Sequence, residues 1–564
     1  MKNKHIRLSI VLTLVALFSG GCNYLDYSER SSAGMDETFS TFAYAGGVLI
    51  AAYSSMQNGF SEVDDAMLDA ATDDAVFVWS TNNIHNFYNG QWSALNTVAP
   101  QWGNFYTGIR RANLFLENAN DEILEEFKFA PDYLQQKKRW DYYRFEARFL
   151  RAFFHFELAK RYGDVPLVLH TLTQSEANNT PRSSFKDVIE WIATECEEIA
   201  PNLPVSYTDA TITPNIETGR ATRGAALALR ARALLYLASP LHNPVSAPDY
   251  QSRWIAAATA AHDLIASGIY SNTLPAWSNV FNNWRATNTE LILERRQQGT
   301  TRTFETANFS IGFEGGNTGN CPTQNLVDCF EMSATGKGIF EEGSGYNSDA
   351  PYSGRDPRLA MTILCNGDTW KSRAMQCYEG GLDGLPRTGA SPSGYYLKKG
   401  LVENTVISGA NPVPTPHCWI LFRYAEVLLN YAEAMNEAYG PAEKGNFTLS
   451  ATEAVNFVRK RTGVAMLDFP ATLSQDDFRT KIRNERRVEL AFEGHRMWDI
   501  RRWKEGGLTR DIRGMKIVRD ESNNTTYTPV TIQTRLWDDR MYFYPIPQTE
   551  IYATNGVLTQ NPEW

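Results

Sequence analysis

Along most of the chain, apolar residues recur at three- and four-residue spacing, which predicts a succession of amphipathic helices. The clearest spans 138–161, where Tyr142, Phe145, Phe149, Ala152, Phe153, Phe156 and Ala159 form one wide apolar face before Gly163–Pro166 stops it. The same spacing predicts helices over 39–60, 101–120, 184–200, 220–238, 251–267, 421–438, 450–461 and 475–493. The 220–238 segment is rich in alanine and suits close helix packing. Two stretches break the pattern. Residues 61–100 carry Asp, Asn and Trp with weak periodicity, which is loop chemistry with short elements. Residues 277–417 are rich in Gly, Asn, Thr and Pro, yet their aromatic content predicts ordered loops.

The densest stretch is Lys481–Trp503, with seven Lys/Arg and four Asp/Glu. Glu485, Glu489 and Glu493 fall on one helical stripe, with Arg486 and Arg496 three residues from a glutamate. Gly494 is expected to end or bend this helix. An arginine-rich nucleic-acid helix and a catalytic carboxylate cluster both compete for this stretch. The carboxylates would repel phosphate, so we read it as a self-satisfied ionic network between helices. Glu485, Arg486, Glu489, Glu493, Arg496 and Asp499 should then be internally paired.

A formal net charge of −10 also disfavours a polyanionic partner. Lys2, Lys4 and Arg7 precede a short apolar run, Ile10–Phe18, too short to span a bilayer comfortably. We read 1–21 as a signal peptide. Ser19, Gly20 and Gly21 lead to Cys22 as in a bacterial lipobox, although Ser19 stands where such motifs usually carry Leu. Cys22 is the expected acylation site, and 22–38 a lipidated flexible tether. The six other cysteines lack C-x-x-C spacing, so no structural zinc site is indicated. Cys321 with Cys329, or Cys365 with Cys377, would close short loops, and buried free thiols fit the spacing equally well.

No metalloprotease, nucleophile-elbow, phosphate-loop or EF-hand pattern occurs, and no cofactor or metal is expected. Asp64/Asp65 and Asp73/Asp74 are carboxylate pairs, but sequence neighbours rarely flank a glycosidic bond at the required separation. Loop capping or hydrogen bonding to sugar hydroxyls suits them better. Sugar rings present apolar C–H faces and a hydroxyl rim, so a binding surface wants aromatic planes beside short polar side chains. Trp79 with Asn82 and Asn83 has this composition, as do Trp277, Trp284 and Arg285; Tyr395 is a further candidate, and Asp73 a polar partner. The alternative for each tryptophan is a loop anchor packed in the core.

Six strings in four separated regions carry a resemblance: EARFLRAFFHFELAKRYGDVPLV, PTQNLVDCFEM with RDPRLAMTILCNGDTW, ERRVELAFEGHRMWDIRRW, and FYPIPQTEI with LTQNPEW. Their order and spacing resemble the SusD/RagB family of outer-membrane lipoproteins. The resemblance implies a mainly α fold: tetratricopeptide-like helix pairs in a superhelical scaffold with a large loop-rich lobe, forming a single compact domain. It implies an N-terminal helical region over 39–270 carrying ligand loops, and a C-terminal region over 271–564. The latter would comprise loops over 277–417, helices over 421–503 and a terminal signature over 541–564. It further implies a non-catalytic, surface-exposed glycan-binding lipoprotein, lipid-anchored in the outer membrane. Such a protein delivers nutrient to a TonB-dependent (SusC-like) transporter. A peptide-capturing relative on the same scaffold, and a glycoside hydrolase using Asp65 or Asp73, are the alternatives.

Overall fold

The computed structural model describes residues 34–125, 127–208, 217–281, 288–297, 304–409, 411, 413 and 415–564. It is 42% helix and 11% strand, so the helical periodicity dominates as expected. We number the principal helices α1 (Phe42–Tyr53), α2 (Trp102–Asn118), α3 (Tyr133–Tyr162), α4 (Phe185–Ile199), α5 (Arg223–Ala238) and α6 (Tyr250–Ala266). The C-terminal set is α7 (Tyr424–Tyr439), α8 (Ala451–Arg459), α9 (Gln475–Glu489), α10 (Arg496–Arg502) and α11 (Gln548–Ala553). Packing follows the chain: α1 on α2, α2 on α3, α3 on α4, α4 on α5, α5 on α6, then α6 on α7 and α7 on α8 and α9. This is a tetratricopeptide-like stack of helix pairs.

Local chemistry sets the helix ends. Ser184, Thr222 and Ser474 cap α4, α5 and α9 with their hydroxyls, and Ser450 with Glu453 forms a capping box on α8. Gly163, at φ +71°, terminates α3. Small residues permit the close crossings. At Gly108 of α2 a Cβ would sit 2.5 Å from the Phe154 ring of α3, a distance no side chain accepts.

Strands are short and antiparallel. We number β1 (Ala75–Phe77), β2 (Leu291–Gln297), β3 (Asn320–Pro322), β4 (His417–Arg423), β5 (Asp511–Arg519) and β6 (Thr525–Thr534). β1 pairs with β3, β2 with β4, and β5 with β6. Two expectations are corrected here. The helix expected from 421 begins at Tyr424, because Leu421–Arg423 finish β4 on β2 with Leu291 opposite Arg423. The helix expected to reach 493 stops at Glu489, where Arg423 Nη2 donates to its carbonyl at 2.8 Å and Lys399 Nζ donates at 3.1 Å. Phe492 (φ +59°) and Gly494 (φ +74°) then turn the chain into α10.

The ionic network expected around α9 is present and buried. Glu489 accepts from Arg423, Arg461 and Arg358 at 2.8–3.0 Å. Glu485 is held by Arg358 and Arg459, and Glu493 by Arg423 and Lys399. Arg486 binds Asp499, which Arg502 also holds while gripping Glu433. Burial pushes the Glu433 carboxyl up, but Arg502 outweighs it and holds the group at about 2. Every member expected to be paired is paired. The six cysteines from Cys196 onward are free thiols, which resolves the two open readings against the proposed short-loop pairings.

Candidate functional site

The structure sorts the sequence candidates by depth. Asp73 is 2% exposed; Arg496 donates to its carboxylate from Nε at 2.8 Å and Nη2 at 2.9 Å, and Arg487 adds an ion pair at 2.9 Å. Burial raises this carboxyl, but the two guanidinium groups overcome burial and keep it ionised, so it belongs to the ionic network rather than to a ligand surface. The same ionisation deprives a hydrolase of Asp73 as a proton donor at neutral pH. Tyr395 is fully buried, its hydroxyl donating to Gln324 Oε1 at 2.5 Å. Trp277 is buried beside Val464 and Met466, with the Lys399 ammonium 4.7 Å from its ring centroid. These three are corrections: an aromatic or carboxylate enclosed in the core offers a ligand nothing. Trp284 and Arg285 lie outside the described residues.

Trp79, Asn82 and Asn83 come together at the surface. β1 runs against β3, and Val78 N–H extends the pairing to Gly319 O. The chain then leaves the sheet, and the half-buried Trp79 donates its indole N–H to Asn317 O at 2.9 Å. The indole rests against Gly389, where a Cβ would come within 2.9 Å of the ring and 3.4 Å of Ile311. Gly389 sits at φ +81°, so both its conformation and the close approach require glycine.

Trp79 O is also an anchor, accepting from Asn82 N–H and lying 2.9 Å from His85 Nε2. A carbonyl only accepts, so Nε2 carries the proton and His85 Nδ1 accepts from Tyr88 OH at 2.7 Å. Burial pushes the His85 pKa down, which keeps this relay neutral.

Asn82 spends its side chain on the loop. Its Oδ1 caps the turn Asn83–Phe87 through Ile84 N–H, and its amide donates to Val63 O and Asp64 O. Asn82 is therefore a positioning residue. Asn83 is exposed and donates to Asp64 Oδ2 at 3.0 Å. Asp64 and Asp65 occupy left-handed backbone at φ +48° and +71°, which orients the Asp64 carboxylate toward Asn83. Ser80 and Thr81 add exposed hydroxyls. The loop containing Gly389 also exposes Leu382 and Leu385, at 46% and 47%, with Arg387 donating to Leu382 O. The result is a shallow aromatic platform with an Asn/Asp/hydroxyl rim.

Ile311, Asn317 and Gly389 were missed by sequence reasoning. They meet Trp79 only through tertiary folding, and the left-handed glycine is the one local signal among them. Among the described residues, no group of three or more His, Cys, Asp or Glu side chains could hold a metal ion.

The chain is thus a mainly helical, tetratricopeptide-like scaffold joined to a loop-rich region. Two family models cover most of the chain: one described as the SusD family over 289–564, and one described as starch-binding and associating with the outer membrane over 23–237. The chain belongs to the SusD family. A SusD-like protein of Formosa agariphila is 26% identical over 563 residues, covering 90% of this chain and 95% of the relative. A crystal structure of a SusD-like protein from Bacteroides fragilis matches with a TM-score of 0.75 at 26% identity, covering 94% of this chain and 100% of that one. A SusD-like carbohydrate-binding protein from the same species matches with a TM-score of 0.72 at 26% identity, covering 92% and 99%. A laminarin-binding SusD-like protein shares the fold at 20% identity with a TM-score of 0.62, covering 93% and 99%.

Proposed function

We propose that this protein binds glycans without cleaving them, using the Trp79 platform, and passes them to a TonB-dependent (SusC-like) transporter in the outer membrane. The observation that carries this reading is the half-buried indole fixed by Asn317 and Gly389 beside the Asn83–Asp64 pair. A fixed ring stacks on a sugar face with little ordering cost, and the amide and carboxylate address its hydroxyls directionally. The carbohydrate-binding relative of similar fold supports the ligand class. Attachment through acylated Cys22 would hold the platform at the membrane surface.

Trp79→Ala should weaken binding in an affinity-gel and calorimetric screen of polysaccharides by about tenfold or more, with the circular dichroism spectrum unchanged. Full binding by both Trp79→Ala and Asn83→Ala proteins would remove the platform from consideration. Cys22→Ala should release the protein from membranes, and the acylated form should co-purify with a transporter barrel. Release of reducing sugar from the bound polysaccharide would overturn the non-catalytic reading.

A further inference from the structure

A second concavity lies on the helical side of the molecule and shares no lining residue with the Trp79 platform. It is a cleft of about 270 Å³ between α2, the 166–172 segment with the short helix Gln174–Asn179, and α11. Its floor is Trp102, Tyr106, Val168 and Leu172. Trp102, Tyr106 and Arg110 follow at four-residue spacing and so share one face of α2. Tyr106 is pinned by its hydroxyl, which donates to Pro166 O at 2.9 Å.

Two opposite charges mark the ends. Glu550 of α11 is half-buried near Trp102, and burial pushes its carboxyl up while a hydrogen bond from the Trp102 side chain opposes this. Arg110 is exposed at the other end and forms no hydrogen bond or ion pair among the described residues. Eight residues of helix separate the Trp102 and Arg110 backbones by about 12 Å. Helical side chains lean toward the N-terminus, which draws the guanidinium back over the floor and shortens that span.

The lining argues against a sugar. Trp102 is only 5% exposed, with the Tyr162 and Tyr106 ring centroids 5.0 and 5.1 Å from its own, so it leaves no open face for stacking. An apolar floor between one unpaired cation and one carboxylate suits a zwitterion with an apolar middle. A three-residue extended peptide spans roughly 10 Å between its termini. We propose that this cleft binds free-ended tripeptides with a central apolar side chain, the ammonium toward Glu550 and the carboxylate toward Arg110. This goes beyond the glycan reading and uses different residues.

The test is calorimetry on the folded, tag-free protein with the tripeptide Ala-Leu-Ala as probe. The free-ended tripeptide should bind at one site, and its N-acetylated, C-amidated form should bind about tenfold more weakly or worse. Arg110→Ala, at an exposed position, should weaken the free-ended probe about tenfold while leaving the C-amidated probe unchanged. Glu550→Gln should weaken the free-ended probe while leaving the N-acetylated probe unchanged. Trp79→Ala should leave peptide binding intact, which separates failure of this site from failure of the platform. The proposal is overturned if wild type does not bind the tripeptide, if blocked termini make no difference, or if maltotriose displaces the probe from the cleft.

Discussion

Asp69 shows how much a single buried side chain depends on its few partners. It is 1% exposed, its Oδ1 accepts from Phe492 N–H at 3.2 Å, and its Oδ2 has no hydrogen-bond partner. Burial, reinforced by the nearby Asp74, pushes its pKa up from 3.8 to about 7. A folded-state pKa above the unfolded value means stability is fully present below about pH 4 and is lost as pH rises through about 7. Asp69→Asn keeps an acceptor for Phe492 and removes the charge. It should flatten this part of the stability profile in urea titrations between pH 4 and 8; parallel wild-type and variant profiles would refute the assignment. At this scale the sequence was informative about composition and silent about depth. Trp79 and Trp277 both sit in aperiodic, Asn-rich segments, yet one rests half-open on Gly389 while the other is enclosed near Lys399 and Val464. Nothing local distinguishes them, because the residues that cover Trp277 come from distant parts of the chain.

Among elements, α9 and the turn after it organise the molecule. Their charges are not surface decoration: Arg423, Arg461, Arg358 and Lys399 converge on three glutamates spaced four residues apart. Burying such groups costs several kcal/mol per ion, and mutual pairing offsets that cost. Arg496→Ala leaves Asp73 and Asp74 with Arg487 as their remaining cation. We expect a loss of about 3 kcal/mol in chemical denaturation, with glycan binding per folded molecule unchanged. Replacing Asp73 and Arg496 together with Leu and Met should recover most of that loss; a double variant as unstable as the single one would argue against pairing as the cause. The helices were legible because their apolar spacing is local, and the charged stripe of α9 announced its own network. The end of α9 was not legible, since Arg423 and Lys399 reach it from far away in sequence. The β5–β6 hairpin also escaped helix-period reasoning, and its mixed exposure leaves only a weak period-two signal.

At the scale of the whole molecule, one continuous core runs from Ala45 to Leu558, joining the helix stack to the loop-rich lobe. The C-terminal segment is also tied to the helix stack by side chains: Arg182 donates to Asn561 Oδ1, and Asn561 donates to Tyr162 O and Tyr544 O. Calorimetric unfolding should therefore give one transition, and Asn561→Ala should shift it down as a unit. Two separable transitions would contradict this.

The link between Asp73 and Arg496 also has a consequence in time. The two residues are separated by 423 positions. At roughly 5–20 residues per second of synthesis, the aspartate precedes its partner by about 20–80 s. Throughout that interval Asp73 lacks the guanidinium groups that hold it in the folded protein, which only the last seventh of the chain supplies. A chain that stops before Arg487 lacks both guanidinium groups that pair Asp73 and Asp74 in the folded protein.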